Sequence, residues 1–279
     1  MLNRYVAERF LYRLSVTDHR NQFLLKGASL LAVWSDQPYR QTKDIDMLGM
    51  GDGSIPRIEK VFREVCAVPS PDDGLVLDVN TLAVEAIREQ QEYGGLRVTL
   101  DVFLGKARIP LQVDVGFGDA VTPKATEIEF GGLLGLPSAR LRAYPRETVV
   151  AEKLEALVSL EMFNSRMKDF SDLYHLSREF EFDGPPLRDA ISATFERRGT
   201  ALSNGVPLAL TQGFYESTEK QTQWTAWVRK AELRTSNPGL EQVCAALEGF
   251  LLPPVQAIVT PVPFDLTWPP GGPWKSKIT

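Results

Sequence analysis

The stretch that decides the fold is residues 22–34 (QFLLKGASLLAVW), followed closely by residues 44–48 (DIDML). Residues 22–25 predict a short strand that runs into the turn Lys26-Gly27-Ala28-Ser29, and residues 29–34 predict a helix directly after it. The N-terminus of a helix offers free backbone N–H groups and the positive end of its dipole, which suit a phosphate, and glycine allows close approach. Such turns are common, so this one taken alone favours a purely structural role.

The second feature is the pair of acids in Asp44-Ile45-Asp46. Alternate residues of a strand share a face, so both carboxylates point the same way while Ile45 points into the core. Two acids this close repel each other, and Mg²⁺, which takes hard oxygen ligands and keeps room for water and phosphate, would relieve the repulsion. The alternative is a pair of solvated acids at a strand end, and the motif by itself slightly favours that alternative.

A third acid lies within an apolar strand segment, Leu111-Gln112-Val113-Asp114-Val115. An unpaired buried carboxylate is costly, so Asp114 is expected to become neutral, to form an ion pair or to bind a metal. Asp101, in Leu100-Asp101-Val102-Phe103, is the competing candidate for this role. We prefer Asp114 because the loop containing Gly116 and Gly118 follows it, and because strand ends carry sites.

The rest of the chain predicts an α+β (mixed α/β) protein with a boundary near Pro145. The predicted domains are 1–145, a mixed sheet with flanking helices; 146–252, a helical domain; and 253–279, an extended tail rich in Pro, Gly and Trp. The predicted helices are 2–15, 55–66, 147–163, 168–180, 187–197 and 221–234, and the further predicted strands are 75–88, 95–104, 110–115 and 127–130.

Composition excludes several classes of protein. The 279 residues are 43% hydrophobic and 24% charged, as in an ordinary globular protein. Apolar runs are far shorter than the roughly 20 residues of a membrane helix, and no secretory signal is expected. Cys66 and Cys244 lie far apart, so we expect no disulfide or zinc site and a cytoplasmic location. A net charge of −5 argues weakly against a protein that coats nucleic acid.

The joint pattern resembles the DNA polymerase β-like nucleotidyltransferase superfamily, and more narrowly the AbiEii/AbiGii toxin family. In that family Lys-Gly-Gly-Thr/Ser and Arg-x-Ser/Thr-x-Asp-x-Asp occur together; here Lys26-Gly27-Ala28-Ser29 precedes Arg40-x-Thr42-x-Asp44-Ile45-Asp46, with alanine replacing the second glycine. Residues 147–157 (ETVVAEKLEAL) and 164–173 (NSRMKDFSDL) are similar to later motifs of the family, and so is the Trp-rich end.

The resemblance implies a nucleotidyltransferase fold in residues 1–145 and a helical domain, 146–252, that completes the NTP site. It implies a pyrophosphate-releasing transfer of a nucleoside monophosphate from an NTP, with two Mg²⁺ ions. The implied residues are Asp44, Asp46 and Asp114 for metal and catalysis, Lys153 and Asp169 for catalysis, and Lys26, Gly27, Ser29, Arg40 and Lys153 for NTP.

Two of these residues also have purely structural interpretations. Lys153 could be a partly solvated lysine paired with Glu152 or Glu155, and Asp169 a first-turn acid that favours the helix dipole. His19 and His175 have no metal or triad spacing and are assigned no chemistry.

Members of the resembled family are toxins of toxin–antitoxin or phage-defence pairs, and some add nucleotides to the 3′ end of tRNA. The expected acceptor is therefore tRNA, and the expected partner is an antitoxin protein. Two alternatives stay open: transfer to a protein hydroxyl or a small molecule such as an aminoglycoside, and a non-enzymatic module that binds NTP or a partner.

Overall fold

The structure, a computed structural model, describes residues 1–35, 40, 42–70, 72–87, 94–231 and 238–276. The chain divides into two compact units. The first comprises Met1–Asp119 and Ala125–Tyr144, and the second comprises Ala120–Lys124 and Pro145–Thr279. Residues 120–124 therefore belong to the second unit although they precede the last strands of the first.

The described part of the first unit contains a seven-stranded mixed sheet in the order β3-β4-β5-β2-β1-β7-β6. Its strands are β1 Phe23–Lys26, β2 Ile45–Gly49, β3 Leu75–Ile87, β4 Gly95–Leu104, β5 Ala107–Phe117, β6 Thr126–Phe130 and β7 Ala139–Ala143. The pairs β2–β5 and β1–β7 are parallel, whereas the other neighbouring strands are antiparallel.

Helices cover one face of this sheet. Helix α1 (Leu2–Ser15) packs against β5 and β7, and α3 (Ile55–Cys66) packs against β3. The predicted apolar stripe of α3 is buried, and alternate residues of β4 and β5 are buried beneath the helices while the residues between them are not. The buried strand residues are Leu96, Val98, Leu100, Val102, Ile109, Leu111, Val113 and Val115. The polar residues of β4 and β5 therefore lie together on the opposite face.

Two details of this unit differ from the sequence-based prediction. The helix predicted over 29–34 is a 3₁₀ turn at Gly27–Leu30 followed by a short helix, α2 (Leu31–Trp34). Strand β7 has no counterpart in the prediction, because its sequence, ARLRA, alternates small and charged residues and carries little hydrophobic signal. Residue 88, the predicted end of the third strand, lies outside the described residues.

The second unit is mostly helical. Its helices are α4 Arg146–Leu160, α5 Met167–Glu179, α6 Gly184–Arg198, α7 Gln212–Tyr215, α8 Thr218–Ala231 and α9 Leu240–Val259. Three short strands, β8 Phe182–Asp183, β9 Leu266–Trp268 and β10 Lys275–Ser276, form a small antiparallel sheet. The predicted helix 221–234 corresponds to α8, and its last three positions lie outside the described residues. The α+β (mixed α/β) class is confirmed.

Residues 253–259 do not form the extended tail that their composition predicts, since α9 continues through Pro253 and Pro254 to Val259. Proline has no N–H, so Pro254 leaves the carbonyl of Phe250 without its usual helical donor. The indole N–H of Trp274 donates to that carbonyl at 3.0 Å, and the Trp274 ring stacks on the Phe250 ring. A tryptophan from the following segment thus replaces the donor that the proline lacks. The last residues of the predicted tail, 277–279, lie outside the described part.

Within the described ranges, α9 is the helix long and apolar enough to cross a membrane, with a mean hydropathy of 1.4 over 18 residues. Half of that window is buried inside the protein. The buried positions include Val243, Leu247, Phe250 and Leu251. This burial is that of a core helix in the second unit.

Candidate active site

Five charged residues form a single row across the polar face of the first unit's sheet. In the strand registers, Lys26 is opposite Asp46, Asp46 is opposite Asp114, Asp114 is opposite Arg97, and Arg97 is opposite Glu85. Directly opposed residues share a face, so two carboxylates stand side by side with one cation beyond each of them. Neighbouring strands lie about 4.8 Å apart, which keeps each member of the row within interaction distance of its neighbours.

Asp46 is fitted against the turn that follows β1. Gly27 has a φ of +68°, and a Cβ atom at this position would lie 2.1 Å from Oδ2 of Asp46. Any side chain at residue 27 would therefore displace the carboxylate as well as strain the backbone. The glycine of the motif is required because the turn and the acid occupy the same space.

Asp114 is held by two neighbours on its own face. Arg97 donates from Nε to Oδ1 at 2.9 Å and from Nη2 to Oδ2 at 2.8 Å, which is a two-pronged ion pair. Gln112 Nε2 lies 3.2 Å from both oxygens. The hydrogen bond to Asp114 raises the pKa of Arg97 above its ordinary value, and the charges of Asp114 and Asp44 add to this shift.

Asp101 lies on the same face of β4 as Arg97 but four residues further along, about 13 Å from the row by the rise of a strand. Its carboxylate accepts a hydrogen bond from Nε of Arg108 at 2.8 Å. The sheet thus brings Asp114, and not Asp101, beside Asp46.

The ammonium group of Lys26 is also fixed in place. It donates to Oδ2 of Asp119 at 2.8 Å and lies 5.5 Å from the centre of the Tyr144 ring. Only 17% of the Lys26 side chain and 12% of the Asp119 side chain are exposed. Lys26 is therefore a partly desolvated cation next to the carboxylate row.

The remaining predicted residues of this unit are less closely associated with the row. Asp44 is exposed and precedes β2, and its carbonyl accepts a hydrogen bond from Oγ1 of Thr42 at 3.2 Å. Ser29 is only 4% exposed, which leaves little of its side chain open to a ligand. Arg40 is half-buried, and its neighbours 36–39 and 41 lie outside the described residues.

The residues fit a hard divalent cation by their chemistry, although they do not form a complete shell. Asp46 and Asp114 stand side by side, with Asp44 two positions before Asp46 in the chain. Carboxylate oxygens are the ligands that Mg²⁺ takes. Nevertheless, no three His, Cys, Asp or Glu side chains of the described residues are grouped as a metal site would require. The contacts of Asp114 with Arg97 and Gln112 involve both of its carboxylate oxygens.

The second unit has its own buried charge cluster, centred on Lys153 of α4. Its Nζ lies 2.7 Å from Oδ1 of Asp169 and 2.7 Å from Oδ2 of Asp172, both on α5. Nε of Arg166 lies 2.8 Å from Oδ2 of Asp169. Lys153 is 14% exposed and each aspartate side chain only 1%, so one lysine is shared by two buried acids.

The cluster gives Lys153 two partners that the alternative structural roles did not include, Asp169 and Asp172. Glu155 accepts from Arg198 at 2.7 Å and from Thr200 at 2.6 Å, so the structure gives this acid partners other than Lys153. Burial works to raise the pKa of Asp169, but Lys153 and Arg166 outweigh it and hold the pKa below the usual value. Asp169 is therefore a buried anion that positions Lys153, in addition to being a first-turn acid of α5.

Sequence reasoning missed Arg97, Gln112, Asp119 and Tyr144. Period-two alternation in β4 and β5 places Arg97 and Gln112 on a polar face, which was visible in the sequence. Which residue each of them would contact was not visible, because it depends on the pairing register of strands that are distant in the chain.

Comparison with known proteins shows to which family the chain belongs. Residues 9–248 match the model of the family described as nucleotidyl transferase AbiEii toxin, type IV toxin–antitoxin system. The protein is thus a nucleotidyltransferase of the toxin–antitoxin class. More particularly, the chain belongs to the AbiEii family, as the match covers most of its length. No curated protein matches it.

Two solved structures resemble the whole chain. The crystal structure of JHP933 from Helicobacter pylori superimposes with a TM-score of 0.50 at 16% identity, over 91% of this chain and 88% of that one. A second H. pylori structure, of a protein provisionally assigned as a nucleotidyltransferase, gives a TM-score of 0.49 at 17% identity, over 93% of this chain and 95% of that one. At such identity, the likeness to JHP933 shows the fold alone.

Proposed function

We propose that this chain is a Mg²⁺-dependent toxin that transfers a nucleoside monophosphate from an NTP to the 3′ end of tRNA. The observation that carries the proposal is the register of Asp46 opposite Asp114, with Lys26 and Arg97 beyond them. An acceptor hydroxyl attacks the α-phosphorus, the bond to the β-phosphate oxygen breaks, and pyrophosphate leaves. Negative charge develops on the phosphate oxygens during this transfer. Cations bound to the carboxylates would stabilise that charge.

Asp44, Asp46 and Asp114 would hold the divalent cations. When bound, Mg²⁺ supplies positive charge to the phosphates and makes an attacking hydroxyl easier to deprotonate. The protein's part is to fix the carboxylates, because Gly27 leaves room for Asp46 and the β2–β5 register sets Asp114 beside it.

Phosphate binding is assigned to the turn after β1 and its lysine. The backbone at Gly27, with positive φ, allows a close approach of main-chain N–H groups to an anion. Lys26, held by Asp119, supplies a cation at the same turn. Arg40 and Ser29 stay predicted ligands of the triphosphate.

Lys153 is proposed to bind the NTP as well, with Asp169 as the residue that positions it. The support is the location of Lys153 between two buried carboxylates, which fixes a normally mobile side chain and leaves 14% of it exposed. A fixed cation contributes more to an anionic ligand than a mobile one because less side-chain entropy is lost on binding.

tRNA, a cytoplasmic location and an antitoxin partner follow from the family resemblance. The second candidate acceptor is a protein hydroxyl or a small molecule such as an aminoglycoside. The net charge of −5 favours this second candidate, since RNA binding depends on cationic surface.

The decisive experiment incubates the purified chain with total tRNA, Mg²⁺ and each α-³²P-labelled NTP in turn. We expect label in the tRNA band, and the preferred nucleotide is read from the four reactions. Asp46→Ala and Asp114→Asn should lower the rate at least about 100-fold, because each removes a proposed cation ligand from the transition state. Asp101→Asn is the matched control and should stay active.

Other outcomes redirect the proposal. Label in a protein band or a small-molecule spot would keep the chemistry and discard tRNA as the acceptor. Equal loss of rate in Asp101→Asn and Asp114→Asn would contradict the assignment of the third carboxylate. Retained rate in Asp46→Ala would overturn the site itself.

A further inference from the structure

The carboxylate of Asp114 has little capacity left for another ligand. An ionised carboxylate offers about four lone-pair positions on its two oxygens. Arg97 and Gln112 together make four contacts with these oxygens, at 2.9, 2.8, 3.2 and 3.2 Å. A cation that binds Asp114 must therefore displace at least one of these donors.

The acids and the arginine of this site differ in their exposure to solvent. Asp44 is exposed to solvent, and Asp46 is half-buried against the Gly27 turn. Arg97 is 43% exposed, so its side chain has room to swing away from the sheet, whereas the Asp114 side chain is only 22% exposed. The arginine is the member of the pair that is more open to solvent.

We propose that Arg97 and Gln112 are positioning residues whose hydrogen bonds compete with the divalent cation for the carboxylate oxygens of Asp114. This inference rests on the proposed function, because it concerns the same three acids. A divalent cation would bind Asp114 only where Arg97 or Gln112 withdraws from a carboxylate oxygen. The withdrawal of Arg97 frees a guanidinium group next to the site, where it can pair with a phosphate oxygen of the incoming nucleotide.

A second arginine on the same face of the sheet provides a matched control for Arg97. Arg108 lies on the same face and pairs with Asp101 through Nε at 2.8 Å, whereas the side-chain donors to Asp114 are Arg97 and Gln112. Removing Arg108 therefore changes the charge of the face as much as removing Arg97 does, without releasing Asp114. Arg97→Lys keeps the charge but cannot form the two-pronged contact.

The test measures Mn²⁺ binding to the full chain by the EPR signal of free Mn²⁺, with and without an equimolar mixture of the four α,β-methylene NTP analogues. The quantity of interest is the binding that disappears in Asp46→Ala. We expect Arg97→Gln to tighten it by about fivefold and Arg97→Lys and Gln112→Met to tighten it by less, since charged hydrogen bonds are the stronger competitors. Arg108→Gln should stay within about twofold of the unchanged chain.

The sign of the change decides between two roles. Weaker Mn²⁺ binding in the Arg97 and Gln112 variants would mean that these residues orient Asp114 for the cation, which would overturn the competition. Equal affinities in all variants would overturn it too, while leaving the proposed function intact. No Asp46-dependent Mn²⁺ binding in the unchanged chain would instead overturn the metal-dependent function.

Discussion

Asp46 on β2 and Asp114 on β5 are direct neighbours in a parallel strand pair. Like charges directly opposed across strands destabilise a sheet, so this pair is unfavourable by itself. The cations on either side of the pair, Lys26 and Arg97, reduce the repulsion. The same four residues therefore affect the stability of the sheet centre and form the core of the proposed cation site.

Gly27→Ala tests the contact between the turn and Asp46. The new Cβ would lie 2.1 Å from Oδ2 of Asp46 at a φ of +68°, so we expect both lower stability and loss of nucleotidyl transfer. The free energy of unfolding should fall by more than about 2 kcal/mol, measured by urea denaturation, since the left-handed backbone alone costs about 1–2 kcal/mol.

Gly105→Ala is the matched control for that experiment. Gly105 has a φ of +58° in the turn between β4 and β5, and nothing lies within 4 Å of its added Cβ. Gly105→Ala should lower the free energy of unfolding by the cost of the left-handed backbone alone and retain full transferase activity. Equal activity in the two variants would show that the fit between Gly27 and Asp46 is irrelevant to catalysis.

Lys153→Met tests the buried cluster of the second unit. The change leaves Asp172 without this partner and Asp169 with Arg166, although both acids are 1% exposed. Breaking a buried pair by removing one partner costs about 3–5 kcal/mol, so we expect a loss of that order in the free energy of unfolding.

Loss of activity in Lys153→Met is thus ambiguous, and a triple variant resolves it. Lys153→Met combined with Asp169→Asn and Asp172→Asn removes the buried charges together with their partner. We expect stability to recover in the triple variant and transferase activity to remain absent. Recovery of both would mean that Lys153 has a structural role only.

His175 predicts a loss of stability in acid. Burial lowers its pKa to about 4, against an opposing effect of Asp172. Below the ordinary pKa of about 6.5, the unfolded chain binds a proton that the folded chain rejects, so stability falls as the pH drops from about 6.5 towards 4. The loss at pH 5 relative to pH 7.5 should be about 2 kcal/mol larger than in His175→Gln. An identical pH dependence in the two proteins would contradict a buried neutral histidine.

The bond from Trp274 to Phe250 predicts a coupling with Pro254. Trp274→Phe removes the N–H that satisfies the Phe250 carbonyl and should cost about 1–2 kcal/mol in the free energy of unfolding. In a Pro254→Ala background the new backbone N–H can bond that carbonyl, so the same change should cost less. Additive effects in this double-mutant cycle would show that the indole does not replace the missing helical donor.

Local patterns predicted the elements well. The α3 stripe of Ile58, Val61, Phe62 and Val65 is buried as its spacing requires, and the strands around Asp46 and Asp114 form where alternation indicates. No helix was predicted over α9 (Leu240–Val259), and the residues from Pro253 onward were predicted to form an extended tail. The second prediction was wrong because the rule that proline ends a helix ignores a donor such as Trp274 from a later segment.

The sequence by itself determined that Asp46 lies on a strand whose preceding residue, Ile45, is buried, and that a glycine turn comes before this strand, since these relations are local and follow from backbone geometry. It placed Asp44 on the same strand face, whereas β2 begins only at Ile45. Only the tertiary structure decided which acid stands beside Asp46, why Gly27 must lack a side chain, and that Arg97 binds Asp114. The physical reason is strand register: a shift of one residue between β2 and β5 would turn Asp114 to the other face. That register is set by the packing of the whole sheet against α1 and α3, and no local window of sequence contains it.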